Sequence, residues 1–341
     1  MATVKRAPAA TLVTRFGAFA LHRFTSGGAP VLALVRGEIG GAAPLLARVH
    51  SSCMTSEFLG GLDCDCAEQL AHALATIAAE GRGVLVYLMQ EGRGAGLVAK
   101  ARDRMMVQAH GERITTFDAF ERMGLPGDRR SYEAVADVLP RLGVEAPLRL
   151  LTHNPEKRAR LAALGVAIAE SVRLPPAHSP WNAHYLAAKT RHGHELAPSD
   201  AEGAHLPERV TWFEPQPLPA LPRFVRAACW LLPVPEGWLR ATVYEDRRSR
   251  GPRLVLEPLA PPCGGNAPLA RGESAPLRFV QPQALLDRLP LAPAGPTQRT
   301  WRAAAAALAE RGQGCALVLG PDEPGAPDAE TLALLALGDA A

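Results

Sequence analysis

Through its first 195 residues the chain alternates short apolar runs with helical stretches, and that rhythm leaves few architectures open. "APVLALVRGEI" (29–39) and "PLLARVH" (44–50) are strand-type runs, too short for buried helices. "AEQLAHALATIAAEG" (67–81) sets Leu70, Leu74, Ile77 and Ala78 on one helical face, with Gly81 where a left-handed C-cap belongs. "GVLVYLM" (83–89) follows as a buried strand. A helix over "SYEAVADVLPRLGV" (131–144), a strand in "PLRLLTHNP" (147–155) and a helix in "EKRARLAALGV" (156–166) continue the pattern. The expected class is α/β, a mixed sheet with flanking helices. From Glu195 to Arg223 six prolines interrupt any period, so 196–223 reads as an extended, partly packed linker.

Beyond the linker, 224–341 reads as a smaller degenerate α/β domain. "NAPLARGESA" (266–275) echoes "APLLARVHSS" (43–52), and "AAALAERGQGCALVLGPDEPG" (305–325) echoes "LATIAAEGRGVLVYLMQEGRG" (74–94). In this alignment Pro276, Gly295 and Thr297 stand opposite Cys53, Cys64 and Cys66, so the second copy would be metal-free.

A formal net charge of +3 without any Lys/Arg block gives no footprint for a nucleic-acid polymer. No apolar run reaches spanning length, and Lys5, Arg6 and Arg15 interrupt the N-terminus before a signal-like segment develops. The expected location is therefore the cytoplasm, with thiols reduced and no membrane partner. Against that background, three of the six cysteines fall within fourteen positions, in "HSSCMTSEFLGGLDCDC" (50–66). Small buried residues clustered by chance are one reading; thiolates converging on a metal are the other. With three protein ligands a zinc keeps a fourth position for water, whereas His50 or His72 as a fourth ligand would make a closed structural site.

Strand ends supply further chemistry. "QEGRGAGL" (90–97) follows a buried strand at the edge where open α/β sheets bind ligands. Its glycines would let backbone N–H groups approach an anion, or would simply make a tight connection. "PGDRRSY" (126–132) puts Asp128 and Arg130 near a helix start, which suits capping as well as anion binding. Arg48, Arg93, Arg130 and Lys157 are cations able to share one cleft. A polyphosphate carrying an electrophilic carbon is the simplest ligand for such a set.

Taken in order, "ARVHSSC", "LDCDCAEQL", "GRGVLVYLMQEGRGAGL", "GDRRSY", "RLLTHNPEK" and "WNAHYLAAKTRHGH" resemble GTP cyclohydrolase II over roughly residues 5–195. That enzyme opens a branch of the riboflavin pathway from GTP. The resemblance implies a zinc on Cys53, Cys64 and Cys66, whose water adds to C8 of guanine, opens the imidazole ring and releases formate. Cleavage of the triphosphate gives pyrophosphate, with Mg²⁺ assisting. By matching motifs, Arg48, Val49, His50, Ser51, Ser52, Gln69, Glu91, Gly92, Arg93, Thr116, Thr152 and Lys157 would contact GTP or a related guanine nucleotide. Asp128 corresponds to the family's proton acceptor and Arg130 to its nucleophile at the α-phosphate. A guanidinium stays protonated, so electrostatic stabilisation suits Arg130 better than nucleophilic attack. The family is homodimeric; here either two chains pair, or the C-terminal domain serves as a pseudo-partner within a monomer.

There are departures. Where the family carries a tyrosine in the helix after the glycine-rich turn, "KARDRMMVQ" (100–108) offers Arg104 or Met105. Without the phenol, the reaction would stop at a formylated, ring-opened nucleotide of a specialised pathway. Met89, Ser131 and Ser52 also replace charged residues of the family. A catalytically inactive nucleotide-binding protein is the rival from another class, and the retained thiols, Asp128 and Arg130 speak against it.

Overall fold

Two turns shape the N-terminal edge of the first sheet. β1 (Ala10–Thr14) and β2 (Gly17–Ser26) form a hairpin, and β2 returns as β3 (Ala29–Arg36) through Gly27 and Gly28. Both glycines have positive φ, as a two-residue turn matched to strand twist requires. The fold is seen in a computed structural model that describes residues 10–175, 177–197, 201–259, 277–280, 301–306, 308, 315–318 and 331.

β4 (Leu45–Ser51), β5 (Gly83–Leu88), β6 (Leu148–Leu151) and β7 (Ile168–Val172) complete a seven-stranded sheet of order β1-β2-β3-β5-β4-β6-β7. β3 and β5 are antiparallel, whereas β5, β4, β6 and β7 run parallel. The sheet is mixed, as the alternating pattern predicts. Period-two alternation sends Val31, Ala33, Val84 and Val86 to one face, under α5 (Glu133–Leu142). Leu32, Leu34 and Leu85 go to the other face, under α2 (Cys66–Glu80), where they meet Leu70, Leu74 and Ile77. Gly81 caps α2 in the left-handed conformation, φ 78°. β5 is buried on both faces, which is why it reads as an unbroken apolar run. Four further helices line the carboxyl edge of the parallel strands: α3 (Gly96–Ala109), α4 (Thr116–Arg122), α6 (Pro155–Ala163) and α7 (Ala183–Arg191).

The second sheet has the order β12-β13-β11-β10-β9-β8, built from β8 (Gln216–Leu218), β9 (Leu221–Val234), β10 (Gly237–Asp246), β11 (Pro252–Pro258), β12 (Leu277–Val280) and β13 (Cys315–Val318). β9, β10, β11 and β13 are antiparallel in turn, and β12 joins β13 in parallel. This is the connectivity of β1, β2, β3, β5 and β4. The helical residues 301–306 precede β13 as α2 precedes β5. The register places Leu277 where the first sheet has Ala47, since they lie beside Cys315 and Val84, which the 305–325 echo sets opposite each other. The sequence echo set Ala270 there instead, so only its 305–325 half keeps step with the strands. Residues 266–276, Gly295 and Thr297 lie outside the described residues.

The stretch 196–223 ends inside β8 and the start of β9, and Leu206, Val210, Trp212 and Phe213 pack on the core shared with the second sheet. That core joins Phe58, Leu59, Ala101 and Met105 of the first unit to Trp230, Leu232, Leu256 and Trp301 of the second. Among the described residues no helix is long and apolar enough to cross a membrane.

Candidate active site

The parallel strands β5, β4 and β6 all end at one edge, and their carboxyl ends carry Glu91, Arg48–Ser52 and Thr152. Cys53 follows β4 as the N-cap of the one-turn helix α1 (Met54–Glu57). Cys66 opens α2 and Cys64 lies in the turn before it. The three Sγ atoms lie within 4.8 Å of one another, and Cys53 and Cys64 are 3.7 Å apart. A disulfide needs about 2.05 Å, so these are separate thiols. Sulfurs about 2.3 Å from a tetrahedral metal sit about 3.8 Å from each other, so the trio fits a metal ion. Among the described residues no fourth side chain joins it. His50 turns its Nε2 to Glu57 Oε1 (2.8 Å), and His72 faces a different groove, beside Arg15 and Arg302.

The buried thiols share their protons unequally. Hydrogen bonds from the Cys64 and Cys66 thiols, with the ammonium of Lys100 beside them, hold Cys53 well below the usual thiol range. The same hydrogen bonds and burial push Cys64 and Cys66 up. Lys100 Nζ is 2.9 Å from both Cys53 Sγ and Glu91 Oε1. Burial opposes its charge, but the Cys53 and Glu91 anions outweigh burial and raise its pKa. Asp65 sits between Cys64 and Cys66 in the chain and accepts from Lys189 Nζ (2.5 Å) and Gln69 Nε2 (2.6 Å). A cation thus stands on each side of the sulfurs, the arrangement that keeps a thiolate-rich centre neutral enough to bury.

Away from the thiols the cleft becomes cationic. Arg48 donates to Leu151 O (2.8 Å) and Gln69 Oε1 (2.6 Å), and burial lowers its pKa to about 10. Lys157 donates to Val49 O (2.9 Å); burial and the nearby charges of Arg48 and Arg130 depress it well below the lysine range. Arg130 grips Asp128 through Nε, 2.9 and 3.0 Å from the two carboxylate oxygens, and through Nη2. Burial would raise Asp128, but those bonds hold it below the usual carboxylate range. Arg93 adopts a left-handed conformation, φ 55°, with its guanidinium 3.9 Å above Phe117 and donating to Gly127 O (3.2 Å). Its carbonyl accepts from Arg129 N (2.9 Å), so the glycine-rich turn is stitched to the loop bearing Asp128 and Arg130.

Of the residues singled out from sequence, Arg48, His50, Ser51, Ser52, Gln69, Glu91, Gly92, Arg93, Thr116, Asp128, Arg130, Thr152 and Lys157 all line this cleft with the three cysteines. The side chain of Val49 instead points into the core beneath α5, and only its carbonyl reaches the site. Glu91 accepts from Met54 N (2.6 Å), Gly92 N (3.1 Å) and Lys100, which leaves one of its roughly four acceptor positions. Buried polar atoms facing no protein partner, His50 Nδ1, Ser51 Oγ, Arg48 Nε and Asp103 Oδ1, give the cleft further bonding capacity.

Sequence reasoning missed Lys100, Lys189, Tyr185, His192 and His194 as cleft residues. Four of them lie in the quoted "WNAHYLAAKTRHGH", so the signal was present without a role attached. Lys100 and Arg104 are four apart on α3, one exposed stripe in a helical projection. Arg104 and Met105 point to opposite sides of α3. Arg104 lines the cleft with Nε 3.1 Å from Asp63 Oδ2 and its guanidinium 4.7 Å above Tyr185, while Met105 is fully buried on the other side of α3.

The first unit is similar to known proteins. The model of the GTP cyclohydrolase II family matches residues 5–173. A GTP cyclohydrolase-2 of Hahella chejuensis is 43% identical over 188 residues, 54% of this chain and 89% of the relative. Those of Azotobacter vinelandii and Pseudomonas syringae pv. tomato are each 42% identical, over 55% and 53% of this chain and 90% and 87% of theirs. With matched residues that include the thiol trio and the Asp128–Arg130 loop, the chain belongs to the GTP cyclohydrolase II family, a family of hydrolases.

Proposed function

We propose that the chain opens the imidazole ring of GTP at C8 and releases pyrophosphate, acting at the head of a riboflavin-type branch. The observation that carries this reading is the convergence of three thiols with four anion-binding cations in one cleft. Cys53, Cys64 and Cys66 would hold Zn²⁺, which when bound supplies a Lewis acid and a water of lowered pKa for attack on an electrophilic carbon. Lys100 and Lys189 balance the thiolate charge around it. The free acceptor position of Glu91 suits a donor on the guanine edge, N1–H or N2–H₂. Arg48, Lys157, Thr152 and the 91–93 turn would take the triphosphate, and Mg²⁺ bound with it would offset part of its charge. Arg130 stabilises charge on the α-phosphate. Once phosphate draws Arg130 away, Asp128 loses the contact that depresses it and becomes the stronger proton acceptor.

A second reading concerns the product. Of Arg104 and Met105, the two candidates for the tyrosine's place, Arg104 is the one that faces the cleft, and it is tied to Asp63, next to Cys64. A protonated guanidinium can hold a formamide oxygen but cannot give or take a proton as a phenol does. This favours a formylated, ring-opened nucleotide as the product. Zinc-loaded protein incubated with GTP and Mg²⁺ tests both readings by mass spectrometry of the pyrimidine and assay of formate and pyrophosphate. Pyrophosphate with formate supports the complete reaction, and pyrophosphate without formate supports the arrested one. Failure to consume GTP leaves a nucleotide-binding protein.

A further inference from the structure

We propose that the second sheet is a working part of the metal centre, with Trp301 as a positioning residue for the thiol cluster. The inference rests on reading Cys53, Cys64 and Cys66 as a zinc site. Its starting point is the edge of β9. Among the described residues β8 pairs only with Leu221–Arg226, so the backbone beyond must find other partners. Those partners come from the first unit at every second residue. Arg102 Nη1 donates to Ala227 O (3.2 Å), and Cys229 N–H points to Met105 Sδ (3.4 Å). Gln108 exchanges two bonds with Leu231, donating to its carbonyl (2.7 Å) and accepting from its N–H (2.8 Å). The backbone N–H of Leu62 donates to Pro233 O (2.8 Å).

The strand edge is thus sealed by two pieces of the active site. One is α3, whose opposite face carries Lys100 and Arg104. The other is the segment 54–62, which with Asp63 makes up the stretch between Cys53 and Cys64. That segment is held by the second unit at three places, Leu59, Gly61 and Leu62. Trp301, fully buried, donates Nε1–H to Leu59 O (2.8 Å). Gly61 packs so closely that a Cβ there would lie 2.7 Å from Leu232 Cδ1. Leu62 is bonded as described.

A loop closed by a metal loses chain entropy on binding, and a loop already held in place loses less. The second unit therefore raises metal affinity by pre-ordering the segment between the first two ligands. Nothing in the second unit needs to reach the cleft for this effect.

The experiment uses the full-length protein. Trp301→Phe keeps the ring and removes the indole N–H; Tyr244→Phe, in the separate cluster of Phe224, Tyr244 and Val255, serves as the control. Zinc dissociation constants come from chelator competition, ligand geometry from the visible spectrum of the Co²⁺-loaded protein, and fold integrity from the melting temperature. Loss of one buried hydrogen bond predicts zinc binding weaker by roughly five- to tenfold in Trp301→Phe, with altered Co²⁺ bands. Tyr244→Phe should stay within twofold of the parent. Trp301→Phe binding zinc as the parent does, or both variants weakening zinc only in step with melting temperature, overturns the inference. A parent protein that binds no zinc overturns instead the metal reading beneath it.

Discussion

Lys157 shows how one buried side chain can report nucleotide binding. Its ammonium is held by a single carbonyl, Val49 O, and faces Arg48 and Arg130 across the cleft. Burial and these like charges depress its folded pKa, so over part of the alkaline range it is neutral when the cleft is free. A bound triphosphate favours the charged form and restores the pKa. Binding therefore takes up a proton above the depressed pKa and none below it, and affinity falls as pH rises through that window. Calorimetry of a non-hydrolysable GTP analogue in two buffers of different ionisation enthalpy should show uptake approaching about one proton, abolished in Lys157→Met. pH-independent proton release in both proteins would sink the assignment. Arg104 makes a second test at this scale. Arg104→Tyr restores a phenol beside Asp63 and should raise the ratio of formate to pyrophosphate, read by coupled assay, by on the order of tenfold, a change of about 1.4 kcal/mol in barrier. An unchanged ratio would separate product choice from this position. A third belongs to the sulfurs: Cys64→Ser should drop bound zinc from one per chain to a trace by elemental analysis, because an alcohol is a far poorer ligand than a thiolate.

At the scale of elements, the glycine-rich turn and the 127–131 loop act as one unit. Gly94 has φ 82°, and a Cβ there would lie 2.9 Å from the carbonyl carbon and oxygen of Arg129. Backbone cannot yield as a side-chain tip can. Gly94→Ala should push Asp128 and Arg130 away from the thiols and lower kcat/KM on the order of 100-fold, the cost of an ångström of misplacement. Zinc content should be unchanged, since no ligand moves. Steady-state kinetics with metal analysis decides it. These connections also show which elements could be read from sequence. α2 was legible because its buried face is purely apolar and Gly81 marks its end. β5 was legible because both its faces are buried. The hairpin of β2 and β3 went unread although Gly27–Gly28 separates two strand-like runs. α3 is obscure for a different reason: it is buried on two sides, but one side is charged. Lys100 and Arg104 are covered because carboxylates and sulfur answer them, Asp103 accepts from Thr116 Oγ1, and no hydropathy period reveals a face buried by such pairing. The thiols and the strand-end cations were visible as residue types at strand ends, whereas Lys189 becomes a site residue only when α7 folds back onto Asp65.

For the molecule as a whole, the second sheet and the first unit are joined through a common core as well as through the hydrogen bonds along the edge of β9. Phe58, Leu59, Ala101 and Met105 of the first unit are each fully buried in that core beside Trp230, Leu232 and Trp301. A fragment ending at residue 195 would expose these four side chains together with the back of α3. Contiguous apolar patches of this kind are seldom left bare on a soluble monomer; they are covered by a partner or they aggregate. In the intact chain the second unit is that cover, which is the sense in which it can stand in for a partner. The prediction is that light scattering finds the full-length protein with the mass of one chain, while the 1–195 fragment is polydisperse or self-associated and binds zinc more weakly. The zinc measurement matters because self-association can cover the patch without reproducing the bond from Trp301 to Leu59 O or that from Leu62 N–H to Pro233 O. A 1–195 fragment that is a stable dimer with full activity would show that a second copy covers the patch as well as the internal unit does. In that case the repeated strand order of the second sheet would reflect ancestry without a present role in the site.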